Sequence, residues 1–142
     1  LDMLAHLIAR EGVSLATLIC PLAHPDDFTN PNMVKVVTDH MGRALYFSRA
    51  AIPYQRARVA GSFVLNNFSN RHIGLYAYQR HALMEVSKLP PGPLEQIEML
   101  EQLRWLEAGL SIHTARVNAP EPGIDTEEDL ERAIKFCQEK GL

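Results

Sequence analysis

The sequence predicts an α/β fold in which helices pack against a sheet of mixed strand direction. Helical and strand-like patterns alternate along most of the chain, which is typical of α/β proteins. Two strand-like segments, residues 33–38 and 43–47, are joined by a short turn at residues 39–42, which favours an antiparallel hairpin. The chain has 142 residues, of which 46% are hydrophobic, enough to build a single core. We therefore expect a single domain over residues 1–142.

The first half of the chain contains one helical and three strand-like patterns. Gly12 follows a helical period of apolar residues, and Pro21 closes an apolar run rich in residues that favour strands. The elements expected in order are a helix at residues 1–10, a strand at 13–19, a loop at 23–32, the two hairpin strands, and a mainly irregular segment at 53–70.

The second half returns to the alternation of strand and helix. A proline-rich cluster at residues 90–93 breaks the chain, and Gly109 stands where a helix should end. Thr126 and Asp129 resemble a capping box at the start of the last helix. The elements expected in order are a strand at residues 71–78, helices at 79–88 and 94–108, a strand at 111–117, a loop at 118–123 and a helix at 126–140.

Charge and composition exclude several classes of partner. The formal net charge is −3, without a basic stripe that could follow a phosphate backbone, so we expect no nucleic-acid partner. Cys20 and Cys137 lie far apart in the sequence, which fits a reducing compartment and predicts a cytoplasmic location. A membrane-spanning helix needs roughly 20 consecutive apolar residues, and the sequence has no run of that length. We therefore expect no membrane association.

Glu101 and Gln102 are the candidate binding residues of the helix at residues 94–108. If that helix is continuous, Glu101 lies one turn from Ile97 and one turn from Trp105, in an apolar neighbourhood where an unpaired charge would be costly. The alternative is a glutamate on an exposed strip, or one paired with Arg104. Gln102 offers both a donor and an acceptor that suit sugar hydroxyls.

His72 and Tyr76 are candidates on the strand at residues 71–78. They are four residues apart, so both side chains should lie on the same face of the strand. Either residue can hydrogen-bond a ligand hydroxyl, but a structural histidine and a core tyrosine would give the same pattern.

Arg49, Arg56 and Asp125 are weaker candidates, since each residue type has a common structural role. The two arginines flank a proline-containing loop and could each bind a carboxylate with two hydrogen bonds, although single arginines usually lie at the surface. Asp125 precedes the last helix, where a carboxylate either binds a metal ion or interacts with the positive helix end. We find no HExxH, GxSxG, GxxxxGK[ST] or GxGxxG motif, and the six histidines lack zinc-site spacing.

Five segments of the chain together resemble a known enzyme family. In order and spacing they resemble the second half of CMP-Kdo synthetases, the 3-deoxy-manno-octulosonate cytidylyltransferases. FSRAAIP and LEQIEMLEQLR are the most specific parts. The five segments are NPNMVKVVTD, ALYFSRAAIPYQR, RHIGLYAY, PLEQIEMLEQLRWLEAG and GIDTEEDLERA.

The resemblance implies a function, a fold and a set of site residues. The family transfers CMP from CTP to the sugar acid Kdo with magnesium, releasing pyrophosphate and supplying CMP-Kdo for lipopolysaccharide biosynthesis, and its members are homodimers. Its fold is the Rossmann-like nucleotide-diphospho-sugar transferase fold, of which this chain would form the carboxy-terminal sugar-binding and dimerisation part. By matching position, the substrate-binding residues are Arg56, His72, Tyr76, Glu101 and Gln102, and the metal ligand is Asp125.

The sequence also departs from the family pattern. The Gly- and Lys-containing nucleotide-binding stretch and the GDEP-like motif of the family do not occur here. We therefore expect the amino-terminal nucleotide-binding half to be lacking, and this chain alone to be inactive. The alternatives are a related enzyme acting on an amino-substituted Kdo, and a non-catalytic module that binds a sugar acid or mediates dimerisation.

Overall fold

A computed structural model of the protein describes residues 1–56, 70–118 and 127–141. Helices and strands alternate in these ranges, as the sequence predicts. The elements are α1 Asp2–Ile8, β1 Leu15–Pro21, α2 Pro25–Thr29, β2 Lys35–Thr38, β3 Ala44–Ser48, β4 Asn70–Tyr78, α3 Arg80–Val86, α4 Pro93–Glu98, α5 Gln102–Glu107, β5 His113–Arg116 and α6 Glu127–Lys140.

The five described strands form one sheet in the order β3-β2-β4-β1-β5. β1 pairs antiparallel with β4 and parallel with β5. β2 pairs antiparallel with both β3 and β4, so the predicted hairpin is confirmed. The predicted mixed sheet with flanking helices is therefore correct.

The alternating side chains of β1 divide the core into two clusters, one on each face of the sheet. Leu15 and Ile19 belong to the larger cluster, which includes Leu103 and Trp105 of α5. Ala16 and Leu18 point to the opposite face and pack with Leu4 and Leu7 of α1. Because strand side chains alternate between the two faces, β1 is buried on both sides and reads as a continuous apolar run.

The hairpin between β2 and β3 reaches the opposite edge of the sheet. The backbone N–H of Ala44 donates to the Ile112 carbonyl, and the N–H of Thr114 donates to the Gly42 carbonyl, each at 2.8 Å. Gly42 has a φ of 77°, and a Cβ there would lie 3.5 Å from the Thr114 carbonyl oxygen. Glycine therefore suits both the turn and its close approach to β5.

The predicted loop at residues 23–32 contains a short helix, α2. Pro25 occupies its first turn, and the backbone N–H of His24 donates to the Asp27 carboxylate at 3.0 Å. Proline at the first helical position and an acid in the first turn are both helix-start signals. The prediction of an uninterrupted loop was wrong because this segment has too few apolar residues to show a helical period.

The predicted single helix at residues 94–108 is two helices, α4 and α5, separated at Met99. Met99 has a φ of 53°, in the left-handed region, which ends the first helix. The carbonyls of Glu98 and Met99 accept hydrogen bonds from the Arg49 side chain, at 2.8 Å and 3.3 Å. These contacts with the distant end of β3 stabilise a helix break that local helix propensity does not predict.

The apolar residues of this two-helix region separate into core and surface. Trp105 is 5% exposed and packs against other residues of its own chain, whereas Ile97 and Met99 are 78% and 75% exposed. The dimerisation role implied by the family resemblance requires an apolar face that a partner subunit could cover. Trp105 does not belong to such a face because it is enclosed by the core of its own chain.

Some sequence predictions fall outside the described residues. Most of the irregular segment predicted at residues 53–70 lies there, as does Thr126 with its predicted cap. Within the described ranges the longest helix, α6, has 14 residues, and no helix is long and apolar enough to cross a membrane.

Candidate functional site

Four of the six predicted site residues line one cavity of about 300 Å³. It lies between β4 and the region where α4 gives way to α5. His72 and Tyr76 contribute from β4, and Glu101 and Gln102 contribute from the start of α5. The remaining lining residues are Gly74, Tyr78, Met99, Leu100 and Trp105.

The wall formed by β4 contains a bulge that keeps His72 and Tyr76 on one face. Tyr76 pairs with Thr17 and Ile73 pairs with Leu18, so Gly74 and Leu75 have no partners in the β1 register. The irregularity inserts two residues, which preserves the alternation of faces. The ring centroids of His72 and Tyr76 are 5.3 Å apart, as expected for neighbours on the same face.

Aromatic side chains connect the two walls of the cavity. The Trp105 ring lies edge-on to Tyr76 and to Tyr78, with centroid distances of 5.1 Å and 5.8 Å. His72 in turn contacts the buried ring of Phe47 at 5.0 Å. Edge-to-face aromatic contacts stabilise such a group beyond the effect of burial alone, so we infer that these rings hold the cavity floor in place.

The second wall depends on Glu98, a residue the sequence analysis did not select. Its carboxylate accepts a hydrogen bond from the Ser48 hydroxyl at 2.5 Å and another from the Arg49 backbone N–H at 2.9 Å. Charged acceptors form strong hydrogen bonds, so Glu98 fixes the end of α4 against the end of β3. The chain then turns at Met99, and this turn places Glu101 at the cavity.

Arg49 has a structural position in the described part of the chain. Its guanidinium donates to the carbonyls of Pro31, Glu98 and Met99, at distances of 3.0 Å, 2.8 Å and 3.3 Å. This geometry matches a structural role of Arg49 better than the binding of a carboxylate. A guanidinium engaged with three backbone carbonyls is poorly placed to bind a ligand carboxylate.

Glu101 does not occupy the apolar neighbourhood expected from a continuous helix. Its side chain is exposed, because the break at Met99 rotates the start of α5 away from the line of Ile97. Gln102 is 5% exposed but still lines the cavity. Glu101 therefore needs no buried partner, and its side chain adds a hydrogen-bond acceptor to the cavity lining.

Burial keeps the side chains of His72 and Tyr76 uncharged. It lowers the pKa of His72 from 6.5 to about 4, with a smaller effect from the Arg71 guanidinium. Burial also raises the pKa of Tyr76 above its usual value of 10, and the nearby groups of Tyr78 and Glu101 act in the same direction. Near pH 7 both residues are neutral hydrogen-bonding groups.

The two other predicted site residues are not brought into this cavity. Arg56 is exposed at the end of the described segment 1–56 and is not among the lining residues of the cavity. Asp125 lies outside the described residues. Within the ranges that are described, no group of three or more His, Cys, Asp or Glu side chains is arranged to hold a metal ion.

Comparison with known proteins gives the class to which this fold and cavity belong. The chain belongs to the cytidylyltransferase family, whose profile matches residues 1–112. That range includes β4, α4 and α5, and therefore the nine described residues that line the cavity.

Similar curated proteins carry a more specific name. A protein of Thermodesulfovibrio yellowstonii, named 3-deoxy-manno-octulosonate cytidylyltransferase, is 47% identical over 135 residues, which is 95% of this chain and 53% of that protein. A protein of Idiomarina loihiensis with the same name is 50% identical over 136 residues, covering 93% of this chain and 54% of that protein. The chain spans about half the length of these relatives.

A solved structure supports the same assignment of fold. It is described as CMP:2-keto-3-deoxy-manno-octonic acid synthetase complexed with CTP. Its TM-score with this chain is 0.83 at 36% sequence identity, and the match covers 99% of this chain and 55% of the solved one. The predicted relation to part of a nucleotidyltransferase fold is confirmed.

Thr17 and Lys35 are among the buried polar residues that the sequence analysis missed. Thr17 interrupts the apolar run of β1, and this interruption was a readable signal. Lys35 is fully buried, and its ammonium group donates to the carbonyls of Asn30 at 2.8 Å and Arg49 at 2.6 Å. Burial and the charge of Arg49 lower the pKa of Lys35. Its place beside a valine-rich run gave no hint of this contact.

Proposed function

We propose that this chain forms the sugar-acid-binding part of an enzyme that transfers CMP from CTP to Kdo. The products would be CMP-Kdo, for lipopolysaccharide biosynthesis, and pyrophosphate. Support comes from the family membership and from the names of the two relatives. The main structural support is the cavity, because four candidate residues from two separate regions of the chain meet there.

The chemistry of the cavity suits a polyhydroxylated ligand. His72, Tyr76 and Gln102 are neutral hydrogen-bonding groups, and Glu101 offers a carboxylate at the mouth. Sugar hydroxyls both donate and accept, so they can be satisfied by such a mixed set. Aromatic faces from Tyr78 and Trp105 add apolar surface for the C–H groups of a sugar ring.

In this proposal the chain binds and orients the sugar acid, without a covalent step. Glu101 accepts hydrogen bonds from sugar hydroxyls, and Arg56 binds the sugar carboxylate with paired hydrogen bonds. Holding the attacking hydroxyl in one position lowers the entropic part of the barrier to its attack on the α-phosphate of CTP. Exclusion of water by the aromatic floor would protect that alignment.

We also propose a magnesium ion to which Asp125 contributes one carboxylate. Magnesium would supply charge neutralisation on the phosphates of CTP. Magnesium sites usually combine protein carboxylates with substrate phosphates and water. Phosphate oxygens of CTP and water would supply further ligands.

The activity is proposed for the complete gene product. The chain covers about half of its relatives, and the nucleotide-binding motifs of the family do not occur in it. We therefore expect this chain alone to release no pyrophosphate from CTP. We further propose a cytoplasmic homodimer, for which the exposed Ile97 and Met99 are suitable apolar contact residues.

The test is pyrophosphate release by the complete gene product with CTP, magnesium and Kdo. Replacing Glu101 by Gln should raise KM for Kdo by roughly tenfold or more, since the charged acceptor is lost. Glu85→Gln is the matched control, because Glu85 is an exposed glutamate on α3 that does not line the cavity.

Three results would separate this proposal from its alternatives. Turnover of an amino-substituted sugar acid, with none of Kdo, would change the substrate and keep the reaction. Kdo binding without CTP-dependent chemistry would identify a binding module. Equal KM values for Kdo in Glu101→Gln and Glu85→Gln would show that Glu101 does not bind the sugar acid.

A further inference from the structure

Thr17 is a buried polar residue whose side-chain hydrogen bonds all lead to β4. Its side chain is 0% exposed in the middle of β1. The hydroxyl oxygen lies 2.9 Å from the Leu75 carbonyl oxygen, 3.2 Å from the Ile73 carbonyl oxygen and 3.0 Å from His72 Nε2. Both carbonyls belong to the bulge that separates His72 from Tyr76 along β4.

The direction of these hydrogen bonds follows from counting protons. A carbonyl oxygen can only accept, so two oxygens at these short distances require the Thr17 proton to point toward them. The threonine hydroxyl has no second proton to give to His72. The bond between Thr17 and His72 must therefore be donated by Nε2–H of the imidazole.

Only one ring nitrogen of a neutral imidazole carries a proton. Since His72 is neutral near pH 7, a proton on Nε2 leaves Nδ1 with a free lone pair. No residue in the described ranges forms a hydrogen bond with Nδ1, and His72 lines the cavity. Nδ1 of this cavity-lining residue can therefore accept, but not donate, a hydrogen bond.

We propose that Thr17 is a positioning residue that fixes the Nε2–H tautomer of His72, so that Nδ1 accepts a hydrogen bond from a sugar hydroxyl. The ligand part rests on the proposed function of the cavity, whereas the tautomer rests on the hydrogen bonds of Thr17 and the neutral state of His72. Thr17 acts through His72 and does not line the cavity itself. Its hydroxyl bonds both to the carbonyls of the β4 bulge and to His72, so the geometry of the bulge determines which nitrogen of His72 can accept a hydrogen bond.

The first experiment reads the tautomer directly in the complete gene product. Histidine labelled with nitrogen-15 is examined by long-range proton–nitrogen correlation at pH 7, and His72 is assigned by the signal lost in His72→Gln. We expect a protonated Nε2 and an unprotonated Nδ1. A protonated Nδ1 in the unsubstituted protein would overturn the proposal without any variant at Thr17.

Addition of Kdo extends this measurement to the ligand. The Nδ1 resonance should move when it accepts a hydrogen bond, while the Nε2 resonance stays close to its original position. A shift confined to Nε2, or saturation of the enzyme with Kdo without a change at Nδ1, would overturn the proposed contact.

Thr17→Val and Thr17→Ser form a matched pair. Valine keeps the shape but removes the hydroxyl, so His72 should lose its single tautomer and KM for Kdo should rise roughly three- to tenfold, the value of one neutral hydrogen bond, with a smaller change in kcat. Serine keeps the hydroxyl and should restore both readouts. A purely structural role would change stability and leave the tautomer unchanged.

The outcomes distinguish this proposal from the proposed function. If the gene product turns over Kdo but Thr17→Val keeps the tautomer and the KM, the role of Thr17 is wrong and the function stands. If Kdo is neither bound nor turned over, the function fails, and the nitrogen spectra still decide whether Thr17 fixes His72. If Thr17→Val does not fold, the His72 tautomer is measured in the unsubstituted protein and in Thr17→Ser. A protonated Nδ1 in either protein would overturn the proposed role of Thr17.

Discussion

The two walls of the cavity are built in different ways. The β4 wall is part of a sheet, and the positions of His72 and Tyr76 follow from strand geometry and one bulge. The wall at the start of α5 depends on a helix break held by Arg49 and Glu98. Both walls present polar groups to the same space, but only the first has a pattern that can be read from neighbouring residues.

This difference shows where local sequence is informative. The period of a strand is set by its own backbone, so residues four apart share a face even when an even-numbered bulge intervenes. A helix break stabilised by side chains 50 residues away is set by tertiary contacts. Substitutions in each wall should therefore show whether the β4 wall depends on its own strand and the other wall on its tertiary contacts.

The largest expected effect concerns the β4 wall and pH. Burial lowers the pKa of His72 from 6.5 to about 4, so the unfolded chain binds a proton more readily than the folded chain between these values. The free energy of unfolding should therefore fall as the pH decreases from 6.5 to 4, by about 3 kcal/mol from this group. Urea unfolding at several pH values measures this change.

The control for this effect is His72→Gln, which should show a shallower dependence on pH over the same interval. Ring titration of His72 by nuclear magnetic resonance gives an independent check. A titration near 6.5 in the folded protein would contradict the assigned burial and the neutral state of the site.

An intermediate effect is expected for Glu98→Gln at the other wall. The amide keeps the size of the side chain but places an N–H₂ group against the Ser48 hydroxyl or the Arg49 N–H, which removes an acceptor. We expect a loss of about 1–3 kcal/mol in stability, as found when a hydrogen-bonding partner of a buried group is lost. Urea midpoints measure this loss.

Glu85→Gln again serves as the control, because an exposed side chain should change stability by no more than about 0.5 kcal/mol. KM for Kdo should also rise in Glu98→Gln, since Glu101 follows the same turn. Stability equal to that of the control would show that the break is maintained without Glu98.

The smallest effect is expected at the break itself. Met99 adopts a left-handed conformation that costs a side-chain-bearing residue about 1–2 kcal/mol, and glycine avoids this cost but loses more conformational entropy. Met99→Gly should therefore raise stability slightly, by about 0.5 kcal/mol. Thermal unfolding can compare it with Gln96→Gly in the interior of α4, which should lower stability by about 0.5–1 kcal/mol. Equal losses in the two variants would contradict a left-handed Met99.

Much of the architecture could be predicted because its signals are local. Apolar period, Gly12, the hairpin turn and the proline-rich cluster locate most element boundaries within a few residues. The same-face relation of His72 and Tyr76 was also predicted correctly. The resemblance to a family added Glu101 and Gln102, which spacing alone left open.

The remaining features depend on contacts that a pattern along the chain does not contain. The helix propensity of residues 94–108 favours continuity, and the opposing hydrogen bonds come from Arg49. The expected apolar environment of Glu101 followed from that false continuity. Thr17 could have been noticed as a polar residue in a buried strand, but its partners became visible only with the register of β1 and β4.

The tie between the hairpin turn and β5 also affects behaviour at high protein concentration. An outer strand with unpaired N–H and C=O groups is a template for pairing with another molecule. Here the carbonyl of Ile112 and the N–H of Thr114 are already engaged by Ala44 and Gly42. Because its own hairpin occupies these groups, this part of the strand offers a growing aggregate fewer places to attach.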